Sequence, residues 1–140
     1  METMTFEAIF DASYERTIKN YQGDGDFFEA FYEHFLNCSP LIRKHFENSN
    51  MHMQQRMLKK SFYSLVVFYA SGSVDNVLST MAERHSVSQK SIPPELYDLW
   101  LESLILTVRD FDTKFDDEIE LAWRLVLSGG ITYMKFKFNH

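Results

Sequence analysis

Val74-Asp75-Asn76-Val77-Leu78-Ser79-Thr80-Met81-Ala82-Glu83-Arg84-His85 is the stretch that carries the reading of the fold. Val74, Val77, Leu78, Met81, Ala82 and His85 fall at i, i+3, i+4, i+7, i+8 and i+11, one apolar helical stripe ending in a histidine. Asp75, Glu83 and Arg84 lie off the stripe. On pattern alone, such a histidine is either a core or capping residue or a ligand aimed into the interior.

Helical spacing continues on both sides. Upstream, Met51 to Ala70 reads as a long helix with a basic lower half (Arg56, Lys59, Lys60) and an apolar upper half. Ser71-Gly72-Ser73 stops it, with Ser73 placed to cap the helix after it. Earlier, Phe27, Phe28, Phe31, Tyr32 and Phe35 form the inner face of a helix that ends near Asn37-Cys38-Ser39-Pro40. Pro40 then opens a short helix carrying Leu41, Ile42 and Phe46. Phe6, Ile9, Phe10 and Ser13 open a first helix capped by Thr5, and Gln22-Gly23-Asp24-Gly25-Asp26 is a break.

Downstream, the polar residues Ser86 to Ser91 and then Ile92-Pro93-Pro94 lead into a helix with inner face Tyr97, Trp100, Leu101, Leu104, Ile105 and Val108. The acidic connection Asp110 to Asp116 precedes a last helix, with Asp116, Asp117 and Glu118 at its positive end. That helix buries Ile119, Ala122, Trp123 and Val126. Gly129-Gly130 in its middle costs about 1 kcal/mol per glycine in helix propensity, which suits a place where another helix backbone passes close. No strand pattern competes, so the expected class is all-α.

Composition narrows the function. The chain of 140 residues is 45% hydrophobic and 24% charged, enough to bury a core in one domain spanning residues 1–140. With 13 Phe, 7 Tyr and 2 Trp it is not a solvated, disordered chain. The one cysteine, Cys38, excludes a disulfide framework and a cysteine-only metal site. A net charge of −6 argues against nucleic acid as a partner. The longest apolar run, Leu65 to Ala70, is too short to cross a membrane, and Met1 to Thr17 has no basic start or apolar core of a leader. A cytoplasmic protein with no membrane partner is expected. Aromatic residues make up 16% of the chain, so the interior packs rings against one another or houses something large and apolar.

The run Phe31-Tyr32-Glu33-His34-Phe35-Leu36-Asn37-Cys38-Ser39-Pro40-Leu41-Ile42-Arg43-Lys44-His45-Phe46 resembles the Phe-Tyr…Pro…Arg…Phe passage of bacterial haemoglobins and flavohaemoglobins. Ala82-Glu83-Arg84-His85, followed by a polar loop, Pro94, Tyr97 and Trp100, resembles the passage around their proximal histidine. Trp123 resembles the tryptophan early in their last helix, and the likeness runs from about Phe6 to Phe136. It implies a globin-like fold of six or seven helices around one haem b.

The resemblance also implies residue roles. His85 becomes the proximal ligand of the haem iron. Phe46 wedges against the macrocycle, Tyr32 lies on the distal side, and Tyr97 and Trp100 line the proximal side and floor. Over the iron the register has two readings. One places Leu58 and Phe62 there; the other places Lys60 and Ser64 there, with Ser61 at a helix crossing. The first is preferred because a charged Lys60 would need neutralising. Gln54 and Gln55 come too early in the helix on either reading. His45 is a candidate for a haem propionate and His52 a remote candidate for a second iron ligand.

The implied function is reversible binding of a diatomic gas: oxygen, nitric oxide or carbon monoxide. The alternatives are a nitric-oxide dioxygenase or peroxidase working with a separate reductase, since no flavin domain follows, or a sensor acting through a partner. A glutamate that flavohaemoglobins carry in their last helix falls near Phe138 here, and no acid stands there. No calcium loop, phosphate-binding glycine motif or metal-site histidine spacing occurs.

Overall fold

A computed structural model describes residues 4–23 and 25–140, so residue 24, in the middle of the expected break, lies outside the described residues, as do residues 1–3. Seven α-helices occur among the described residues, and no strand: α1 (Phe6–Tyr14), α2 (Phe27–Asn37), α3 (Pro40–Phe46), α4 (Met51–Ser71), α5 (Asn76–Arg84), α6 (Glu95–Phe111) and α7 (Asp117–Phe136). One π-helical turn, Glu15–Lys19, continues α1.

Short polar side chains start most of these helices by accepting orphan backbone N–H groups. Thr5 accepts from Ala8, Asp26 from Phe28, Ser39 from Leu41, Asn50 from Met53 and Asp116 from Ile119. Gly72 ends α4 in the left-handed region at φ +70°, a conformation that costs a residue with a Cβ. The cap of α5 is Asp75, which accepts from Leu78; Ser73 was expected there. The carboxylate wins because it sits directly before the first helical residue, leaving Val74 exposed ahead of the helix.

α7 is the central post. α1 and α4 pack on it, α6 lies alongside it, α2 packs on α6, and α5 reaches both α4 and α7. Trp123, fully buried, sits among Phe10, Phe27 and Phe62 with ring centroids 4.5–6.3 Å apart. The glycine pair of α7 does face α4, but side chains fill the approach where a backbone was expected. A Cβ on Gly130 would collide with Leu65, and one on Gly129 would lie 2.9 Å from the ring of Phe68.

A buried polar cluster ties the chain's first helix to its last. The Trp123 indole N–H donates to Ser13 Oγ (2.8 Å), and Ser13 donates to Asp112 (2.6 Å). Arg16, carried on the π-helical turn, grips both oxygens of Asp112 at 2.8 and 2.9 Å.

Candidate functional site

α5 delivers His85 as the residue that closes its C-terminus; the His85 N–H donates to Met81 O at 3.0 Å. The loop after it folds back tightly. Lys90 donates to Arg84 O and Ile92 to His85 O, while Val87 donates to Phe138 O at 2.8 Å beyond the end of α7. His85 is thus held by a loop that rests on the far end of the chain.

The imidazole forms part of the wall of a 460 Å³ cavity, a size ordinary for a cofactor or ligand site. Tyr32 and Phe35 of α2, Ile42 and Phe46 of α3, Leu96, Tyr97 and Trp100 of α6, and Ile131 and Met134 of α7 line it too. α4 supplies Gln54, Met57, Leu58, Ser61 and Leu65, at i, i+3, i+4, i+7 and i+11, so one stripe of α4 forms a whole wall. His45 and Lys90 also border the cavity and are exposed, which gives its mouth two basic groups.

His85, Phe46, Tyr32, Tyr97, Trp100 and Leu58 therefore share one cavity. Phe62 does not line it. Its ring is 1% exposed and lies 6.0–6.4 Å from those of Tyr14, Phe28, Trp100 and Trp123. It sits about 40° around α4 from Leu58, far enough to join the aromatic core of the fold and leave the cavity wall to smaller side chains. Lys60 and Ser64, the other register, do not line the cavity either: Lys60 is exposed and Ser64 is buried elsewhere on α4.

Gln54 does line it, against expectation, because α4 starts close enough to the cavity for its first turn to reach. Ser61, Leu65, Lys90 and Met134 are further lining residues that no local motif marks. His52 belongs to a different groove on the other side of α4. His34 lies 3.0 Å from Asp110, and His140 stacks on Phe136. The described residues contain no cluster of three or more metal-ligating side chains.

Four polar side chains of the cavity, His85, Tyr97, Tyr32 and Ser61, are engaged in hydrogen bonds. His85 Nδ1 lies 2.9 Å from the Tyr97 hydroxyl, and no described group bonds the other ring nitrogen. Tyr32 donates to Gln54 O (3.2 Å) and Ser61 to Leu58 O (2.7 Å). Burial, followed by the nearby charges of Lys90 and His45, pushes the His85 imidazole down to about 4. It is therefore neutral at pH 7 and has an electron pair to give. Burial raises the hydroxyls of Tyr32 and Tyr97, so both stay protonated.

A pH dependence follows. Unfolded His85 takes up a proton near pH 6.5, while the folded side chain resists protonation until about 4. The free protein should lose stability as the pH falls through that window, with no further loss from this group below it. Urea unfolding midpoints across the window should fall more steeply for the wild type than for His85→Phe; equal slopes would exclude His85 as the source.

No family model and no curated protein sequence matches the chain. A crystal structure does: that of a Pseudomonas aeruginosa PAO1 protein described as structurally highly homologous to a human haemoglobin. The two chains are 34% identical and superimpose with a TM-score of 0.84, over 97% of this chain and 100% of that one. An all-helical fold of this order, agreeing in sequence and shape along nearly its full length, makes the chain a member of the bacterial globin family.

Proposed function

We propose that the protein binds one haem b through His85 and reversibly holds a diatomic gas, oxygen first, in the cavity beside it. The observation that carries this reading is the neutral imidazole on the cavity wall, with Nδ1 tied to Tyr97 and the other nitrogen unbonded by any described group. Haem, when bound, supplies an iron that takes up oxygen, nitric oxide or carbon monoxide. A neutral imidazole is a good donor for such an iron, and its second nitrogen needs a partner that fixes the ring. The apolar and aromatic lining suits a flat macrocycle, and His45 and Lys90 suit its carboxylates at the mouth.

Tyr97 decides the character of the donor. With its other nitrogen given to an iron, His85 would carry its proton on Nδ1, 2.9 Å from a neutral phenol oxygen, whereas a carboxylate there would draw on the proton and enrich the ring in electrons. Among the described residues no acid lines the cavity. The imidazole therefore lacks the added electron push that favours peroxidase chemistry, which fits reversible binding better. With haem bound, the Tyr32 hydroxyl would be the donor for partial negative charge on a gas ligand, in exchange for its 3.2 Å bond to Gln54 O.

The test is the absorption spectrum of the protein titrated with haemin, then reduced and exposed to carbon monoxide. A sharp Soret band saturating at one haemin per chain is expected, and a protein that stays colourless refutes the reading. Within that frame, Tyr32→Phe should speed oxygen dissociation by about tenfold or more, since one hydrogen bond to a charged group contributes roughly 1.5–3 kcal/mol. Carbon monoxide, which develops less charge, should leave at nearly the same rate. Unchanged oxygen release would remove Tyr32 from this role.

A further inference from the structure

The basic face of the first turns of α4 points away from the haem cavity and is unused by the function proposed above. His52, Gln55, Arg56 and Lys59 fall at i, i+3, i+4 and i+7, on one side of the helix. They form the wall of a second groove, 770 Å³ in volume, whose other side comes from the π-helical turn and the start of α2. Ile18, Tyr21, Phe27 and Phe28 give it an apolar floor. The two cavities share no lining residue.

Three features make this groove a receptor for one kind of ligand. Arg56, Lys59 and His52 make no hydrogen bond or ion pair with any described residue, although acidic residues outnumber basic ones in the chain, 20 to 14. The groove's described acid, Asp26, spends an oxygen on the Phe28 N–H as the cap of α2. The Thr17 hydroxyl is likewise turned away, donating to Ser13 O. A concave site of this volume, with cations bonded by no described residue on one wall and apolar side chains on the floor, fits a small molecule that is charged at one end and apolar along its length.

We propose that this groove binds an amphipathic anion, a carboxylate or phosphate head carrying an apolar chain. The head lies against Arg56 and Lys59, and the chain runs along Ile18 and Tyr21, over the nearly buried rings of Phe27 and Phe28. A fatty acid and a lysophospholipid both present this chemistry.

The experiment is calorimetric titration of the full chain, loaded with haemin so that the other cavity is filled. The probes are dodecanoate, dodecyl phosphate, dodecanol and inorganic phosphate. Both amphipathic anions should bind once per chain, and the tighter of the two identifies the source as a fatty acid or a phospholipid. Dodecanol and inorganic phosphate, each lacking half of the chemistry, should bind at least about tenfold more weakly. In the Arg56→Gln/Lys59→Gln double variant, both amphipathic anions should lose affinity by about tenfold, the effect of removing two exposed charge pairs. These side chains are exposed, so circular dichroism of the variant should match the wild type. If haemin does not bind, the same variant still assigns the location, because it alters no residue of the haem cavity. Absence of heat with both anions, dodecanol binding as tightly as dodecanoate, or a double variant with undiminished affinity would each overturn the proposal.

Discussion

Replacing His85 by alanine should abolish stoichiometric haemin uptake and remove the sharp Soret band of the loaded protein. The imidazole is the one nitrogen donor of the cavity that is both half-buried and neutral at pH 7, and its orientation is set by Tyr97 at 2.9 Å. No other described histidine is placed to substitute for it: His52 lines the other groove and His45 is exposed at the mouth. The fold should survive the change. His85 follows α5 and contributes little to the core, so far-ultraviolet circular dichroism should stay at the wild-type level. Imidazole added to the solution should restore the band, because the substitution leaves a space of the same shape on an otherwise unchanged wall. Unaltered uptake with an unaltered spectrum would show that another residue holds the iron.

The largest loss of stability is expected at Asp112, far from the cavity. Its side chain is fully buried and accepts four hydrogen bonds: two from Arg16, one from Ser13 and one from the Lys114 N–H. Asp112→Ala strands the Arg16 guanidinium beside a cavity and leaves the Ser13 hydroxyl, which also accepts from Trp123, without an acceptor. Removing one partner of such a pair costs about 3–5 kcal/mol, a large share of the stability of a domain this size. Burial pushes the carboxyl up, but the bonds from Arg16 and Ser13 outweigh it and hold it below the usual carboxylate range. Its contribution is therefore complete above the unfolded carboxyl's ordinary value near 3.9 and disappears as the pH falls through the lower folded value. Chemical denaturation should show the deficit of Asp112→Ala at pH 7 shrinking toward pH 2. A deficit independent of pH would mean that the loss is packing alone.

The sequence was informative where one helix face told the whole story. The stripes of α2 and α6 and the cap Thr5 follow from local spacing, because each depends on residues within a few turns, whereas Tyr97 was put on the side of His85 by the resemblance alone. On α4 the cavity wall holds Gln54, which was set aside as too early in the helix, and leaves out Phe62, which the resemblance placed over the iron. Both are reasonable pocket residues by type, and only the rotation of α4 relative to α2 and α7 decides which of them meets the cavity and which meets Trp123. In the sequence Asp112 is one residue of the acidic connection Asp110 to Asp116, with nothing to mark it as buried. Its partner Arg16 lies 96 positions away on a π-helical turn, and no local pattern announces either fact. The glycine pair of α7 signalled a close approach correctly but could not say that Leu65 and Phe68 fill it.

The bond from Val87 to Phe138 makes the place of His85 answer to the end of α7. The loop that fixes the imidazole rests on a carbonyl just past that helix, and Ile131 and Met134, in its last turns, complete the adjoining wall. Fraying that unwinds the end of α7 therefore loosens loop and wall together, so the cavity and its histidine open as one unit.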